Sequence, residues 1–316
     1  MISRRLIRVK VLQLLYAYFN GNNTDGIQKY EKDLQKSIEK SHDLYHLFFL
    51  LVVDVARYAQ EQIDINKTKF TASDAELNPN TKFVNNQIIK QIEQTEKLFI
   101  YTDSNGLNWT ETPELIKQIY TVMVESESYK NYMNSTDNSY EGDKKFIMNF
   151  FTEYLNDNDM LYQVLEEGSI YWNDDIEFVL SMNIRTIEKL KPSAHDIKLM
   201  ELYKNDDDRR FASDLFCKTI LLHEENDTMI RKYIKNWDLE RLAQMDLLVI
   251  ELAMVEITTF ENIPIKVSFN EYIDLARFYS TERSNAFVNG ILDRVINNLK
   301  ADGKINKTGR GLIETK

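Results

Sequence analysis

Apolar residues recur at helical spacing along most of the chain, and the pattern predicts helices rather than strands. Residues 3–19 read as a first helix, ended by Gly21, Asn22 and Asn23, and a second, charged helix is expected over 26–40. From 41 to about 63 the string SHDLYHLFFLLVVDVARYAQEQID is apolar around most of its circumference, as in a helix buried on several sides. The stretch 64–82, with Pro79, reads as a surface connection. Periodicity returns over 83–102 and over 113–134, where Ile116, Ile119, Tyr120 and Met123 follow Pro113, a favourable first-turn residue. Residues 134–143 have loop composition.

The last hundred residues are patterned most sharply. A helix over 239–258 carries Leu242, Met245, Leu248, Val249 and Leu252, becomes apolar nearly all round after Asp246, and belongs at the centre of a domain. Asp246, a lone acid there, is expected to pair with a base. Pro264 closes the following loop, and Ser268 with Glu271 reads as a capping box opening a helix whose stripe is Tyr272, Leu275, Ala276 and Tyr279. A final helix opens near Ser280 or Thr281, burying Phe287, Val288, Ile291, Leu292, Val295 and Leu299 and leaving Asn285, Asn289 and Asp293 on another face. Gly290 inside it is expected to serve close helix packing. The tail from 301 to 316 is small and polar, a flexible segment by composition.

An internal correspondence adds organisation. Asp143-Lys144-Lys145-Phe146 precedes Trp172 as Asp208-Arg209-Arg210-Phe211 precedes Trp237, each tryptophan 29 residues after its aspartate. The two copies suggest a degenerate repeat, too few for a solenoid. Both tryptophans are expected to anchor helix junctions.

Composition narrows the class. Nine glycines and four prolines in 316 residues are sparse punctuation for a β protein, so the fold is expected to be all-α. One cysteine, Cys217, excludes an internal disulfide framework, and with four scattered histidines it leaves no metal-ligand spacing and no cofactor site. A reducing, cytoplasmic setting fits. The longest apolar run, LFFLLVV at 47–53, falls far short of the ~20 residues of a membrane span, and the first residues lack a leader's pattern. No catalytic constellation stands out, and no glycine-rich nucleotide turn occurs. A net charge of −11 argues against binding nucleic acid with the whole surface.

Any nucleic-acid site is therefore local, and the first helix offers one. Arg4, Arg5 and Arg8 fall within a 100° arc of its first two turns, whereas the first acid is Asp25. Cations in a helix's first turn oppose its dipole, a cost without benefit unless they have a task.

WDLERLAQMDLLVIELAMVEI, then IPIKVSFNEYIDLARFYS, then SNAFVNGILDRV resemble the C-terminal half of the NusB family, and RR-x-x-R with Gln13, Leu15 and Tyr16 resembles its opening helix. The resemblance covers 1–40 and 205–300. It implies a NusB-like helical bundle core interrupted by an inserted helical lobe at 41–204. It also implies a non-enzymatic transcription antitermination factor that binds boxA-type single-stranded RNA with ribosomal protein S-ten (NusE), within an RNA polymerase antitermination complex that supports ribosomal RNA transcription and maturation. By that resemblance Arg4, Arg5, Arg8, Phe287 and Asn289 face RNA, and Glu256 faces the protein partner. Ala286 and Arg283 depart from the family's pattern, which places a base before the Phe and an acid near that helix start. A protein-interaction scaffold without RNA selectivity, and an RNA-guiding module like those of ribosomal RNA methyltransferases, remain the alternatives.

Overall fold

The computed structural model describes residues 3–21, 26–234, 243–281 and 284–312. Among the described residues the chain is all-α: α1 (Arg4–Asn20), α2 (Ile27–Lys67), α3 (Asp74–Leu77), α4 (Gln87–Glu93), α5 (Glu96–Ser104), α6 (Pro113–Glu125), α7 (Glu127–Asn134), α8 (Tyr140–Phe150), α9 (Asp159–Gly168), α10 (Ile176–Glu188), α11 (Asp206–Leu221), α12 (His223–Ile234), α13 (Gln244–Thr259), α14 (Ile265–Tyr279) and α15 (Ser284–Ala301). A π-helical turn, Phe151–Leu155, continues α8.

The chain divides into two compact units, one made of Met1–Ile38 with Tyr203–Lys316, the other of Glu39–Leu202. α2 runs through the division. The separate helices expected over 26–40 and 41–63 are one helix of 41 residues, because neither glycine nor proline interrupts its sequence.

In the first unit α13 is the hub. It packs on α1, α11, α12, α14 and α15. Every side chain from Leu248 to Ile257 is buried, Glu251 and Glu256 included. That hydrophobic centre explains why the segment is apolar on all sides; its expected start, with Leu242, lies outside the described residues, as do Trp237 and Arg283.

Three details differ from expectation. Ser268 is not a cap: Pro264 starts α14 a turn earlier, and Ser268 lies fully buried with its hydroxyl donating to Glu256 Oε1 at 2.6 Å. Asp246 pairs with no base among the described residues; it accepts from the buried Ser284 Oγ at 2.9 Å, tying the starts of α13 and α15 together. Gly290 faces open space, with no atom within 4 Å of an added Cβ, so helix packing does not account for it.

The tail is not wholly free either. Lys307 Nζ donates to Phe260 O at 2.9 Å and Thr308 N to Glu261 O at 3.1 Å, which ties 307–308 to the loop after α13. Burial lowers the Lys307 ammonium to about 8, against the pull of Glu256 and Glu261.

The second unit has its own core, with Tyr45, Phe48, Phe49, Phe150 and Phe151 fully buried. Two expected helices split. Residues 83–102 become α4 and α5 at buried Thr95, whose hydroxyl donates to Gln91 O at 2.7 Å and accepts from Ile197 N at 2.9 Å. Residues 113–134 become α6 and α7 at Ser126, extended at ψ 150° and capping Tyr129 N. The connection after α2 holds α3, closed by a Ser73–Glu76 capping box. Trp172 anchors a junction, its indole donating to Lys40 O at 2.7 Å. Among the described residues no helix is long and apolar enough to cross a membrane.

Candidate nucleic-acid interface

Ser3 caps α1, its hydroxyl accepting from Leu6 N, and the first turn contains no acid. The helix carries Leu6, Ile7, Val11, Leu12 and Leu15 into the core against α11 and α13, and this packing fixes where each arginine points.

Arg8 points inward. Only 3 % exposed, it grips Glu256 in a two-pronged pair, Nε to Oε2 at 2.7 Å and Nη2 to Oε1 at 2.6 Å. Its guanidinium carbon lies 5.5 Å from the Phe211 ring centre and 5.9 Å from that of Tyr272. Glu271 approaches at 3.6 Å. Glu256 also accepts from Ser268 Oγ at 2.6 Å and Tyr272 Oη at 2.8 Å, so the buried carboxylate has four hydrogen bonds. Burial by itself would lower the Arg8 pKa; the charge and hydrogen bonds of Glu256, then Tyr272 and Glu271, outweigh it and leave the group well above its ordinary value. The Tyr272 phenol is pushed far up by burial and by the same carboxylate.

This corrects two expectations. Arg8 shares the arc of Arg4 and Arg5, but the arc straddles the edge of the core, and the longest inward reach meets a carboxylate 248 residues away in sequence. Glu256 is wholly buried, so it is not a surface for a partner protein.

Arg4 and Arg5 stay at the surface. Arg4, with 36 % of its side chain exposed, donates from Nε to Asp208 Oδ1 at 2.9 Å and lies 5.0 Å from the Phe211 ring centre. Arg5, 40 % exposed, reaches Asp274 Oδ2 from Nη1 at 3.3 Å. Asp274 also takes Arg277 Nη2 on its other oxygen, at 3.0 Å. Phe278 lies beside both bases, 6.0 Å from the Arg5 guanidinium carbon and 5.2 Å from that of Arg277, with 66 % of its surface open.

On α15, Phe287 is core, 5 % exposed, whereas Asn289 is exposed. The internal correspondence acquires a partial physical sense. Asp143 and Asp208 are both buried acids in the first turns of their helices, the former accepting from Tyr132 Oη at 2.7 Å and Gln87 N at 2.9 Å. Trp237 lies outside the described residues.

Asp274, Arg277 and Phe278 were not expected at the site. One signal was available for the last: in α14 Phe278 is out of phase with the buried stripe of Tyr272, Leu275 and Ala276. Elsewhere, burial raises the Cys217 thiol, the reverse of activation, and no group of three or more potential ligands is placed to hold a metal among the described residues.

The model of the NusB family matches residues 179–297. The chain is 39 % identical over 134 residues to the transcription antitermination protein NusB of Salinibacter ruber, covering 42 % of this chain and 84 % of that one. It is 43 % identical over 91 residues to the like-named protein of Chloroherpeton thalassium, 29 % of this chain and 43 % of that one. With that of Acetivibrio thermocellus it shares 37 % over 105 residues, 33 % and 72 % of the two chains. No solved structure matches significantly.

Proposed function

Because the chain belongs to the NusB family, we propose that it is a cytoplasmic transcription antitermination factor that binds boxA-type single-stranded RNA together with ribosomal protein S-ten (NusE). It acts by assembly into the antitermination complex on RNA polymerase, in support of ribosomal RNA transcription and maturation, and not by catalysis. The observation that carries the reading is the pair Arg4 and Arg5, half-exposed on an acid-free first turn. Arg8 supports them from beneath by locking α1 to α13 through Glu256. From α15 we retain Asn289, whose exposed amide can both donate to and accept from a base edge. Phe287 is buried in the core and is not part of the RNA face.

Two surface cations beside Asp208 and Asp274 form a weak RNA site alone, in a chain of net charge −11. A basic partner would supply the remaining positive potential and dock quickly against an acidic body. Binding of a boxA-type oligoribonucleotide and a scrambled control, with and without S-ten, tests this. We expect selective binding that S-ten strengthens and Arg4→Gln/Arg5→Gln weakens, with a log–log salt slope shallower by roughly 0.7 for each phosphate no longer neutralised. S-ten binding without RNA selectivity would instead make the protein a scaffold.

A further inference from the structure

We propose that Phe278 is a base-stacking platform, with Arg5 and Arg277 as its phosphate-binding flanks. The proposal rests on the RNA-binding reading and extends it to the C-terminal turn of α14, which nothing in the family resemblance assigned. A single exposed phenylalanine carries no meaning, since folded proteins leave many apolar atoms in water. The surroundings of this one are specific. Two guanidinium groups stand 6.0 and 5.2 Å from its ring centre, both held by one carboxylate, Asp274.

The charge balance favours an anionic ligand. Asp274 carries one negative charge between two cations, so these three described side chains together hold a net positive charge on a strongly acidic protein. It also biases both side chains toward the ring, which lowers part of the ordering cost on binding. Arg277, 57 % exposed, and Arg5 retain N–H donors that the carboxylate does not occupy. Both guanidinium carbons lie over the ring at the outer range of a cation–π contact while 66 % of the residue stays open, so a single-stranded nucleotide can place its base on the open part of the ring and its phosphate on an arginine. A purely apolar partner would have to strip water from both cations. Arg5 belongs to α1 and Phe278 to α14, so the platform is continuous with the surface that Arg4 and Arg5 share.

The test uses the full-length protein with S-ten and a boxA-type oligoribonucleotide carrying 2-aminopurine at successive positions, whose fluorescence falls when the base stacks. The expected result is quenching at one position, abolished in Phe278→Ala together with a roughly ten-fold drop in affinity, and restored by Phe278→Tyr. The salt slope should be unchanged in Phe278→Ala, because no phosphate is released from a cation, and shallower by roughly 0.7 in Arg277→Gln. The exposure of Phe278 makes unaltered thermal unfolding the expected control. If Phe278→Ala binds RNA as wild type does while Arg4→Gln/Arg5→Gln does not, the platform is wrong and the RNA reading survives. If wild type shows no RNA selectivity, both fall. Weakened S-ten binding with intact RNA affinity would assign the ring to the protein partner and overturn the proposal.

Discussion

Arg8 and Glu256 form a buried ion pair whose worth depends on what is removed. Breaking such a pair strands a charge in the core and costs about 3–5 kcal/mol, whereas replacing both partners is far milder. Arg8→Ala is therefore expected to lower stability by that amount in urea unfolding, and Arg8→Met/Glu256→Gln to recover most of it. A drop below about 1 kcal/mol in the single variant would show the pair to be solvated. Lysine is no substitute, because it cannot form the two-pronged pair. A second buried acid titrates. Burial holds the Glu251 carboxyl up to about 7, despite the His223 Nδ1 hydrogen bond at 2.8 Å. The unfolded chain gives up this proton near the ordinary 4.5, so stability present below that value is lost as pH rises to about 7. The decrease is on the order of 3 kcal/mol. Urea midpoints measured across this window should fall with pH in wild type and fall less in Glu251→Gln; parallel profiles would remove Glu251 as the cause.

Among the elements, α15 offers the plainest test. Gly290 lies inside an 18-residue helix with open space around it. Alanine there is expected to stabilise by about 1 kcal/mol, read from thermal unfolding. Should Gly290→Ala also weaken RNA binding, the glycine is kept for close approach of a ligand beside Asn289. Periodicity made the helices legible: α1, α14 and α15 lie close to their expected ranges, and α13 ends where expected, because their apolar stripes or all-round apolarity admit no strand. Interruptions and continuities were less legible. Nothing in the composition of 95 or 126 demands a break; Thr95 and Ser126 act through hydroxyl bonds, of which the one to Ile197 N depends on distant chain. At the site, helical arc placed three arginines together, but only tertiary packing decides that Arg8 turns in while Arg4 and Arg5 turn out. Asp208 and Asp274, their partners, come from helices whose placement one sequence does not reveal.

At the scale of the molecule, the first unit is assembled from two segments distant in sequence, 1–38 and 203–316. Their inner ends are close, since Tyr203 Oη donates to Gln35 Oε1 at 2.7 Å. A glycine-serine linker of about six residues can bridge such a gap. Replacing 39–202 by it is expected to leave a cooperatively folding protein that still selects RNA; a chain that does not fold would make the second unit a structural necessity. The same discontinuity has a temporal side. Arg8 meets Glu256 across 248 residues, and ribosomes add roughly 5–20 residues each second. The first helix is therefore synthesised roughly ten to fifty seconds before its carboxylate partner. The contiguous Glu39–Leu202 unit can complete its core in that interval. Until α13 arrives, the cationic helix is a nascent segment with an undocked apolar face, which makes the newborn chain, rather than the finished one, the form most in need of chaperone cover.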